Sequence, residues 1–272
     1  MTEPEPKPVA KWRYVVPNAV TSTSLAIGLM AMVAASEGRF EAAGWLIVLC
    51  VLLDKLDGTF ARLLGATSKF GVQLDSLTDL VVFGVTPAAV LFLLVRSDAA
   101  LAAEWSSYGW ALHACLALFA ICSSLRLAKF NVMADEGGPG IFFGMPTTLA
   151  GGLLGLFLLI GLQHELPKLL AALPLMALAF ALLMVSNLPL PKVAKRDTTA
   201  GNVFQAVNLV LCYVCGFLRI YPEYLLAVTL GYASVGFIWG MIHRQEFRPG
   251  KTENDDGSDG DDSHGDLAVS GA

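Results

Sequence analysis

Eight apolar segments, each about long enough to cross a bilayer, follow one another along most of the chain. They lie at 17–36, 41–62, 70–96, 109–131, 146–163, 166–188, 203–221 and 223–243. A transmembrane helix needs about 20 mainly apolar residues, and in lipid it satisfies its backbone polar groups internally. Only 15% of the residues are charged, and the mean hydropathy of +0.62 exceeds that of ordinary soluble domains. The sequence therefore predicts an all-α, polytopic integral membrane bundle with about eight transmembrane helices.

The basic residues are divided unequally between the two sides that eight spans define. Thirteen fall on the side of the two termini and four on the other, while Lys55 lies inside a span. Because cytoplasmic loops carry the excess of Lys and Arg, this bias predicts that both termini are cytoplasmic. The loop from Arg62 to Lys69 is then also cytoplasmic, and we expect a multi-pass protein of the inner (cytoplasmic) membrane.

The two ends of the chain differ in composition from the apolar body. Residues 1–16 are polar and Pro-rich and lack the cleavage site of a secretory signal peptide, so we interpret them as a cytoplasmic leader. Residues 249–272 contain seven acidic residues and one Lys, and we predict that this acidic tail is disordered. Residues 17–248 then form one membrane domain. Nothing in the body forms the basic patch that nucleic-acid binding requires.

The five cysteines all lie in apolar segments, where we interpret them as small hydrophobic residues. Cys212 and Cys215 have the spacing of half a redox or zinc motif. They lack a second pair or a neighbouring His, so this spacing does not predict a metal site.

Four carboxylates interrupt the apolar pattern of the second and third predicted spans. Asp54 and Asp57 are three residues apart, and Asp75 and Asp79 are four apart. On a helix, each spacing places the pair on one face. Ionisable groups inside membrane proteins are costly and usually functional, and clustered carboxylates favour hard divalent cations. We therefore predict a metal site between two facing helices.

Small and basic residues accompany these acids at fixed intervals. Written out, the pattern is Asp54-x-x-Asp57-Gly58-x-x-Ala61-Arg62, then eight residues, then Gly71-x-x-x-Asp75-x-x-x-Asp79. This pattern resembles the signature of the CDP-alcohol phosphotransferases. These integral membrane enzymes transfer a phosphatidyl or similar group from a CDP-linked donor to an alcohol and release CMP. Eight specified residues in a stretch this short are far more specific than a lone glycine motif.

The resemblance implies a role for each position of the signature. Two divalent ions, Mg²⁺ or Mn²⁺, would be held by Asp54, Asp57 and Asp75, and Asp79 would contact one ion and act as the general base. The CDP group would lie against Asn18, Thr21, Asp54, Gly58, Ala61, Arg62 and Gly71. Within that set, the three small residues would line the cytidine pocket, and the Arg62 guanidinium can form a bidentate contact with a phosphate.

Residues outside the signature favour a particular acceptor alcohol. The segment from Arg126 to Val132, the run from Phe143 to Thr147 and the run from Leu183 to Pro189 are similar to bacterial phosphatidylserine synthases, a branch of this family. This chain departs from that branch by having Lys129 in place of Arg and Met145 in place of Leu. The resemblance implies CDP-diacylglycerol and L-serine as substrates, a membrane lipid environment and a homodimer.

L-Serine carries a carboxylate, so its pocket needs cations and hydrogen-bond donors near the metals. The candidates are Arg126, Lys129 and Asn131. Lys129 fits equally well as an ordinary cytoplasmic anchor of its span. Choline, glycerol 3-phosphate and inositol phosphate are alternative acceptors within the family.

Two other interpretations of the acids are open at this stage. The carboxylates could pair with Lys55, Arg62 and Lys69 as a buried ion network, although four acids exceed three bases. A cation-coupled transporter also places acids inside spans. Such a transporter is expected to carry its acids near the bilayer midplane, whereas here they lie toward one predicted cytoplasmic loop.

Overall fold

The computed structural model describes residues 12–65, 68–135, 142–186, 188–190 and 199–242. The α-helices in this part of the chain are α1 (Trp12–Ser36), α2 (Phe40–Leu63), α3 (Lys69–Asp79), α4 (Thr86–Ser97), α5 (Ala99–Trp105), α6 (Gly109–Asp135), α7 (Thr147–Gln163), α8 (Pro167–Val185), α9 (Thr199–Leu218) and α10 (Pro222–Ile242). A π-helical segment (Leu80–Val85) joins α3 to α4, and a 3-10 turn (Ser106–Tyr108) joins α5 to α6. Two-residue strands, β1 (Phe142–Phe143) and β2 (Pro189–Leu190), pair antiparallel.

The helices coincide with the eight predicted apolar segments, which confirms the all-α membrane fold. Helix α3, the π-helical segment and α4 form one span, Lys69–Ser97. Within the described residues, four helices are long and apolar enough to cross a membrane, and three more apolar helices are shorter. Helix α2 belongs to neither group, and it is the helix that carries Asp54, Lys55 and Asp57 near its C-terminal end.

The predicted leader and tail lie mainly outside the described residues. Helix α1 begins at Trp12, so the last five positions of the predicted leader 1–16 are helical. Residues 1–11 and 243–272 are not described. The assignment of the leader, the tail and the cytoplasmic termini therefore stays a prediction.

The π-helical segment is the point where several helices cross closely. Its Val82, Phe83 and Gly84 are buried. A Cβ atom added to Gly151 of α7 would lie 2.6 Å from the Phe83 carbonyl oxygen, and one added to Gly84 would lie 2.9 Å from Cβ of Ser123 in α6. Small residues of this kind let helix backbones approach each other in a membrane protein. The span Lys69–Ser97 is therefore fixed by α6 and α7 immediately after Asp79.

The interior of the bundle is packed with aliphatic and aromatic side chains, whereas its outer faces are also apolar. Phe119, Leu153 and Leu173 are fully or almost fully buried. In contrast, Trp110 is 76% exposed and Phe204 is 69% exposed. Large apolar side chains on the outside of a helical bundle suit contact with lipid rather than water.

The segment that precedes α7 is held against the end of α8 by its backbone. The Gly144 N–H donates to the Leu188 carbonyl at 2.8 Å, and the Met145 N–H donates to the Leu183 carbonyl at 3.0 Å. Gly144 has φ of +79°, and a Cβ atom there would lie 2.3 Å from the Met184 carbonyl oxygen. Only glycine adopts this positive φ readily and also leaves room for the Met184 carbonyl oxygen. Gly144 therefore allows the segment before α7 to lie against the end of α8.

Candidate metal and substrate site

Three of the four predicted carboxylates converge between α2 and α3. Asp54, Asp57 and Asp75 each offer one carboxylate oxygen, and these three oxygens lie within 4.8 Å of one another. Asp57 is buried, while Asp54 and Asp75 are half-buried. We call these three residues, together with Asp79, the acid cluster. Their spacing on two facing helices produces this convergence as the sequence predicted.

Asp79 occupies a different position from the other three acids. It is the last residue of α3, directly before the π-helical segment, and it is 9% exposed. Its carboxylate lies within hydrogen-bonding reach of Asp54 but outside the group of three converging oxygens. π-Helical irregularities often occur at functional sites. Asp79 thus adjoins the other three carboxylates through Asp54 but does not share the point where their oxygens converge, and its predicted role as a metal ligand remains a prediction.

Two basic residues approach the acid cluster within the described part of the chain. The Lys55 Nζ lies 3.9 Å from an Asp54 oxygen, but the Lys55 side chain is 66% exposed. Arg126 of α6 is close enough to interact electrostatically with Asp54 and Asp79. Four acids facing two cations leave net negative charge in a half-buried site. Such a charge is costly unless a bound cation neutralises it.

Helix α1 supports Asp57 through a hydrogen bond. The Thr21 hydroxyl donates to the Asp57 Oδ2 at 2.8 Å, and the Gly58 N–H donates to the Asp57 Oδ1 at 2.6 Å. Thr21 is only 5% exposed. The Thr21 hydroxyl therefore orients a carboxylate of the acid cluster, and its predicted contact with the nucleotide stays a prediction.

The N-terminal turn of α3 approaches α1 at Gly71. A Cβ atom added to Gly71 would lie 3.2 Å from the Asn18 Oδ1 and 3.2 Å from the Ser68 Oγ. Ser68 caps α3, because its hydroxyl accepts a hydrogen bond from the Gly71 N–H at 3.0 Å. The structure therefore brings Asn18 and Gly71 together, and it adds Ser68, which the sequence pattern did not indicate.

The remaining signature positions lie at the end of α2. Gly58 is partly buried next to Asp57. Ala61 and Arg62 belong to the last turn of α2, but their side chains lie outside what the structure describes. Their predicted contacts with the CDP group therefore remain predictions.

Two of the three predicted acceptor residues face the helix that carries Asp75 and Asp79. Asn131 Nδ2 donates to the Ser76 hydroxyl at 2.9 Å, which ties α6 to α3 beside Asp75. Arg126 lies one turn earlier on α6 and faces the acids, as noted above. Lys129 is exposed on the same helix. The structure thus places Arg126 near Asp54 and Asp79 and bonds Asn131 to Ser76 of α3, and the acceptor roles of Arg126, Lys129 and Asn131 stay predictions.

Tyr213 is an aromatic neighbour of the site that the sequence pattern did not indicate. The Tyr213 hydroxyl of α9 donates to the Leu52 carbonyl of α2 at 3.0 Å. Tyr213 is also close enough to Asp54 and Asp57 to interact with them electrostatically. No motif spacing links positions 161 residues apart, so only the packing of α9 on α2 reveals this neighbour.

The donor set of the acid cluster fits divalent cations. Mg²⁺ and Mn²⁺ prefer oxygen ligands, and carboxylates of this kind also hold paired metals about 3.5–4 Å apart in phosphoryl-transfer sites. Three converging carboxylate oxygens with excess negative charge meet those requirements. Asp54, Asp57 and Asp75 are thus the residues that could hold the metal.

Comparisons with known proteins agree with this geometry. The sequence profile of the family described as CDP-alcohol phosphatidyltransferase matches residues 14–187. A Helicobacter pylori protein named CDP-diacylglycerol–serine O-phosphatidyltransferase is 35% identical over 67% of this chain and 74% of its own length. Proteins of the same name from Mycobacterium bovis and Methanocaldococcus jannaschii are each 32% identical. The first alignment covers 78% of this chain and 72% of the relative, and the second covers 82% and 92%.

Proposed function

Because this chain belongs to the CDP-alcohol phosphatidyltransferase family, we propose that it transfers the phosphatidyl group of CDP-diacylglycerol to the hydroxyl of L-serine. The products are phosphatidylserine and CMP. The observation that carries this proposal is the convergence of the Asp54, Asp57 and Asp75 oxygens within 4.8 Å at the family signature. The choice of serine rests on relatives that are named for that acceptor. Family membership also makes the transporter interpretation unnecessary.

The reaction replaces the phosphoanhydride bond of the CDP group with a phosphoester bond to serine. The serine Oγ attacks the phosphorus that bears the diacylglycerol, the bond from that phosphorus to the CMP phosphate oxygen breaks, and CMP leaves. Asp79 accepts the proton of the serine hydroxyl. Its position beside Arg126 supports this role, and general-base catalysis of this kind contributes about 10²–10⁴-fold.

The family depends on divalent metals, and we propose that Asp54, Asp57 and Asp75 hold two ions, Mg²⁺ or Mn²⁺. The bound ions would neutralise the diphosphate and stabilise the charge that develops on the leaving CMP. Thr21 and Gly58 hold the Asp57 carboxylate in one orientation. Asn18, Gly58, Ala61, Arg62 and Gly71 complete the CDP pocket.

The acceptor side of the site lies on α6. Arg126 presents a cation beside Asp79, where it would hold the serine carboxylate and place the serine hydroxyl next to the general base. Asn131 adds a polar group beside Asp75 through its bond to Ser76. Lys129 would supply a second positive charge at the rim. This arrangement distinguishes serine from choline, which carries no carboxylate for Arg126.

We further propose that the protein acts in the inner membrane as a homodimer with both termini in the cytoplasm. The charge bias of the loops places the acid cluster at the cytoplasmic face. CDP-diacylglycerol in the membrane and soluble L-serine can meet at that face.

The test is an acceptor screen on one purified sample in detergent or nanodiscs. CMP release from CDP-diacylglycerol would be measured with Mn²⁺ and, in turn, L-serine, glycerol 3-phosphate, inositol phosphate and choline. We expect serine to give the fastest release, with phosphatidylserine as the lipid product by mass spectrometry. Faster turnover with another acceptor would show that the family assignment holds but that serine is wrong.

A variant sharpens the acceptor test. Arg126→Lys keeps the charge but removes the planar fork that binds a carboxylate in two places. We expect about a tenfold rise in KM for serine with little change in KM for CDP-diacylglycerol. Equal changes in both KM values would contradict a specific role of Arg126 in binding serine.

A further inference from the structure

Two buried threonine hydroxyls have no hydrogen-bond partner in the part of the chain that the structure describes. They belong to Thr78 of α3 and Thr147 of α7, which are 3% and 0% exposed. A buried hydroxyl without a partner destabilises a fold, and most such groups in proteins are paired. The positions of these two threonines relative to Asp79 show which of them has a role in the reaction.

The contacts of α7 with α2 show which end of α7 approaches the acid cluster. Cβ atoms added to Gly155 and Gly152 would lie 3.0 Å from side-chain atoms of Ile47 and Val51, respectively. The two helices are therefore antiparallel, and the N-terminal end of α7 continues toward Asp54.

The contact of α7 with the π-helical segment places Thr147 at the level of Asp79. The closest approach is between Gly151 and the Phe83 backbone, as described above. Thr147 precedes Gly151 by four residues, and Asp79 precedes Phe83 by four, which is about one turn on each helix. Since the Asp79 carboxylate lies within reach of Asp54, both helices run from this contact toward the acid cluster. Thr147 therefore starts α7 beside Asp79.

Thr78 belongs to another face of α3. A Cβ atom added to Gly28 of α1 would lie 2.8 Å from the Val82 Cγ2. Thr78 precedes Val82 by four residues, so it shares the face that packs on α1. Thr147 is thus the unpartnered hydroxyl on the α7 side of Asp79.

The Thr147 hydroxyl does not cap its helix. Ser68 and Asp98 cap α3 and α5 through their side chains. In α7 the N-cap is Pro146, which forms no side-chain hydrogen bond. Because Thr147 is 0% exposed, its hydroxyl acts through a neighbouring protein group rather than by touching a soluble substrate. The buried carboxylate of Asp79 is the acceptor that lies at its level.

We propose that Thr147 is a positioning residue for Asp79, to which its hydroxyl donates a hydrogen bond during the reaction. This inference rests on the proposed role of Asp79 as the base. In this structure the Asp79 carboxylate lies within hydrogen-bonding reach of Asp54, which is also a proposed metal ligand. Once Asp54 turns toward a cation, Asp79 needs another partner, and Thr147 holds its carboxylate toward the serine hydroxyl.

The same bundle contains a comparable pair of residues. The buried Thr21 hydroxyl of α1 donates to the Asp57 Oδ2 at 2.8 Å. A threonine on a neighbouring helix thus already orients one carboxylate of the acid cluster, and Thr147 would do the same for Asp79.

The first test is the kinetics of full-length variants. Thr147→Val replaces the hydroxyl with a methyl group, and we expect kcat for CMP release to fall about tenfold with both KM values little changed, because a misplaced base slows the chemistry rather than binding. Thr147→Ser keeps the hydroxyl and should retain most of the turnover. Thr86→Val is the matched control, because Thr86 is also 0% exposed but its hydroxyl donates to the Gly28 carbonyl at 3.4 Å. It should leave kcat unchanged.

Thermal unfolding of the metal-free protein separates positioning from a structural role. Since the Thr147 hydroxyl has no partner among the described residues, Thr147→Val should unfold at the same temperature as the unsubstituted protein or at a higher one. Thr86→Val loses a hydrogen bond and should unfold at a lower temperature. A larger drop in Thr147→Val than in Thr86→Val would overturn the proposal, because it would show that the hydroxyl stabilises the fold.

A structure of the unsubstituted protein with Mn²⁺ and CDP-diacylglycerol, determined by cryo-electron microscopy, tests the contact itself. We expect about 2.7 Å between the Thr147 Oγ1 and an Asp79 carboxylate oxygen. A Thr147 hydroxyl bonded elsewhere, or an unchanged kcat in Thr147→Val, would overturn the proposal. Absence of CMP release by the unsubstituted protein would instead contradict the proposed function, and the distance from Thr147 to Asp79 would still decide whether the two residues are bonded.

Discussion

The two halves of the span Lys69–Ser97 are used in different ways. The first half, α3, lies largely at the surface of the bundle and buries only Thr78 and Asp79. The second half, α4, buries seven of its twelve residues. The π-helical segment between them contacts Ser123 of α6 through its Gly84 and approaches Gly151 of α7. We therefore expect substitutions in α3 to affect the proposed chemistry and substitutions in the π-helical segment and α4 to affect stability.

The strongest test of this division is to remove the proposed base from α3. Asp79→Asn keeps the shape of the side chain but cannot accept the serine proton, so we expect kcat to fall about 10³-fold, with the folded structure retained. CMP release and thermal unfolding would be measured together. Asp98→Asn is the control, because Asp98 caps α5 and Asn caps a helix equally well. Retained turnover in Asp79→Asn would refute its role as the base.

The proposed contribution of the π-helical segment to stability is tested at its contact with α7. Gly151→Ala places a methyl group 2.6 Å from the Phe83 carbonyl oxygen, so the backbones must separate. We expect a loss of about 1–3 kcal/mol in the free energy of unfolding. Gly231→Ala of α10 meets no atom within 4 Å and should stabilise its helix slightly. Equal unfolding temperatures for the two variants would contradict the proposal that the π-helical segment stabilises the bundle through this contact.

A smaller effect is expected where α1 supports the metal site. Thr21→Val removes the hydrogen bond to Asp57 without changing the size of the side chain. The Mn²⁺ concentration for half-maximal activity should rise about tenfold, because such supporting groups orient metal ligands. Thr23→Val is the control, since the exposed Thr23 hydroxyl bonds only to the backbone of its own helix. A shift of the same size in both variants would contradict the account.

The smallest expected effect concerns the link between α3 and α6. Ser76→Ala removes the hydrogen bond to Asn131, and we expect about a threefold rise in KM for serine. Ser124→Ala on α6 is the control, because the Ser124 hydroxyl bonds to the carbonyl of Ile121 in its own helix. An unchanged KM in Ser76→Ala would show that Asn131 does not depend on this bond for its position.

The convergence of Asp54, Asp57 and Asp75 could be predicted from sequence because it depends on helix periodicity. Spacings of three and four place residues on one face, and the apolar pattern gives the helices. The position of Asp79, next to Asp54 but outside the group of three, depends on how α2 and α3 are placed relative to each other. Helix periodicity within either segment does not encode that placement.

Contacts between distant parts of the chain could not be predicted from local spacing. The bond from Thr21 to Asp57 depends on how α1 crosses α2. Tyr213 reaches Leu52 only because α9 packs on α2. The left-handed backbone at Arg219 and Tyr221 has no sequence signal, since neither residue is a glycine.

The most direct test of the central claim is to locate the metal. Crystals of the full-length protein grown with Mn²⁺ and a CDP-lipid would be measured at the manganese absorption edge. We predict anomalous peaks for two ions between α2 and α3, in contact with Asp54, Asp57 and Asp75. The account would be contradicted if no peak occurred there and Lys55 and Arg126 neutralised the acids instead.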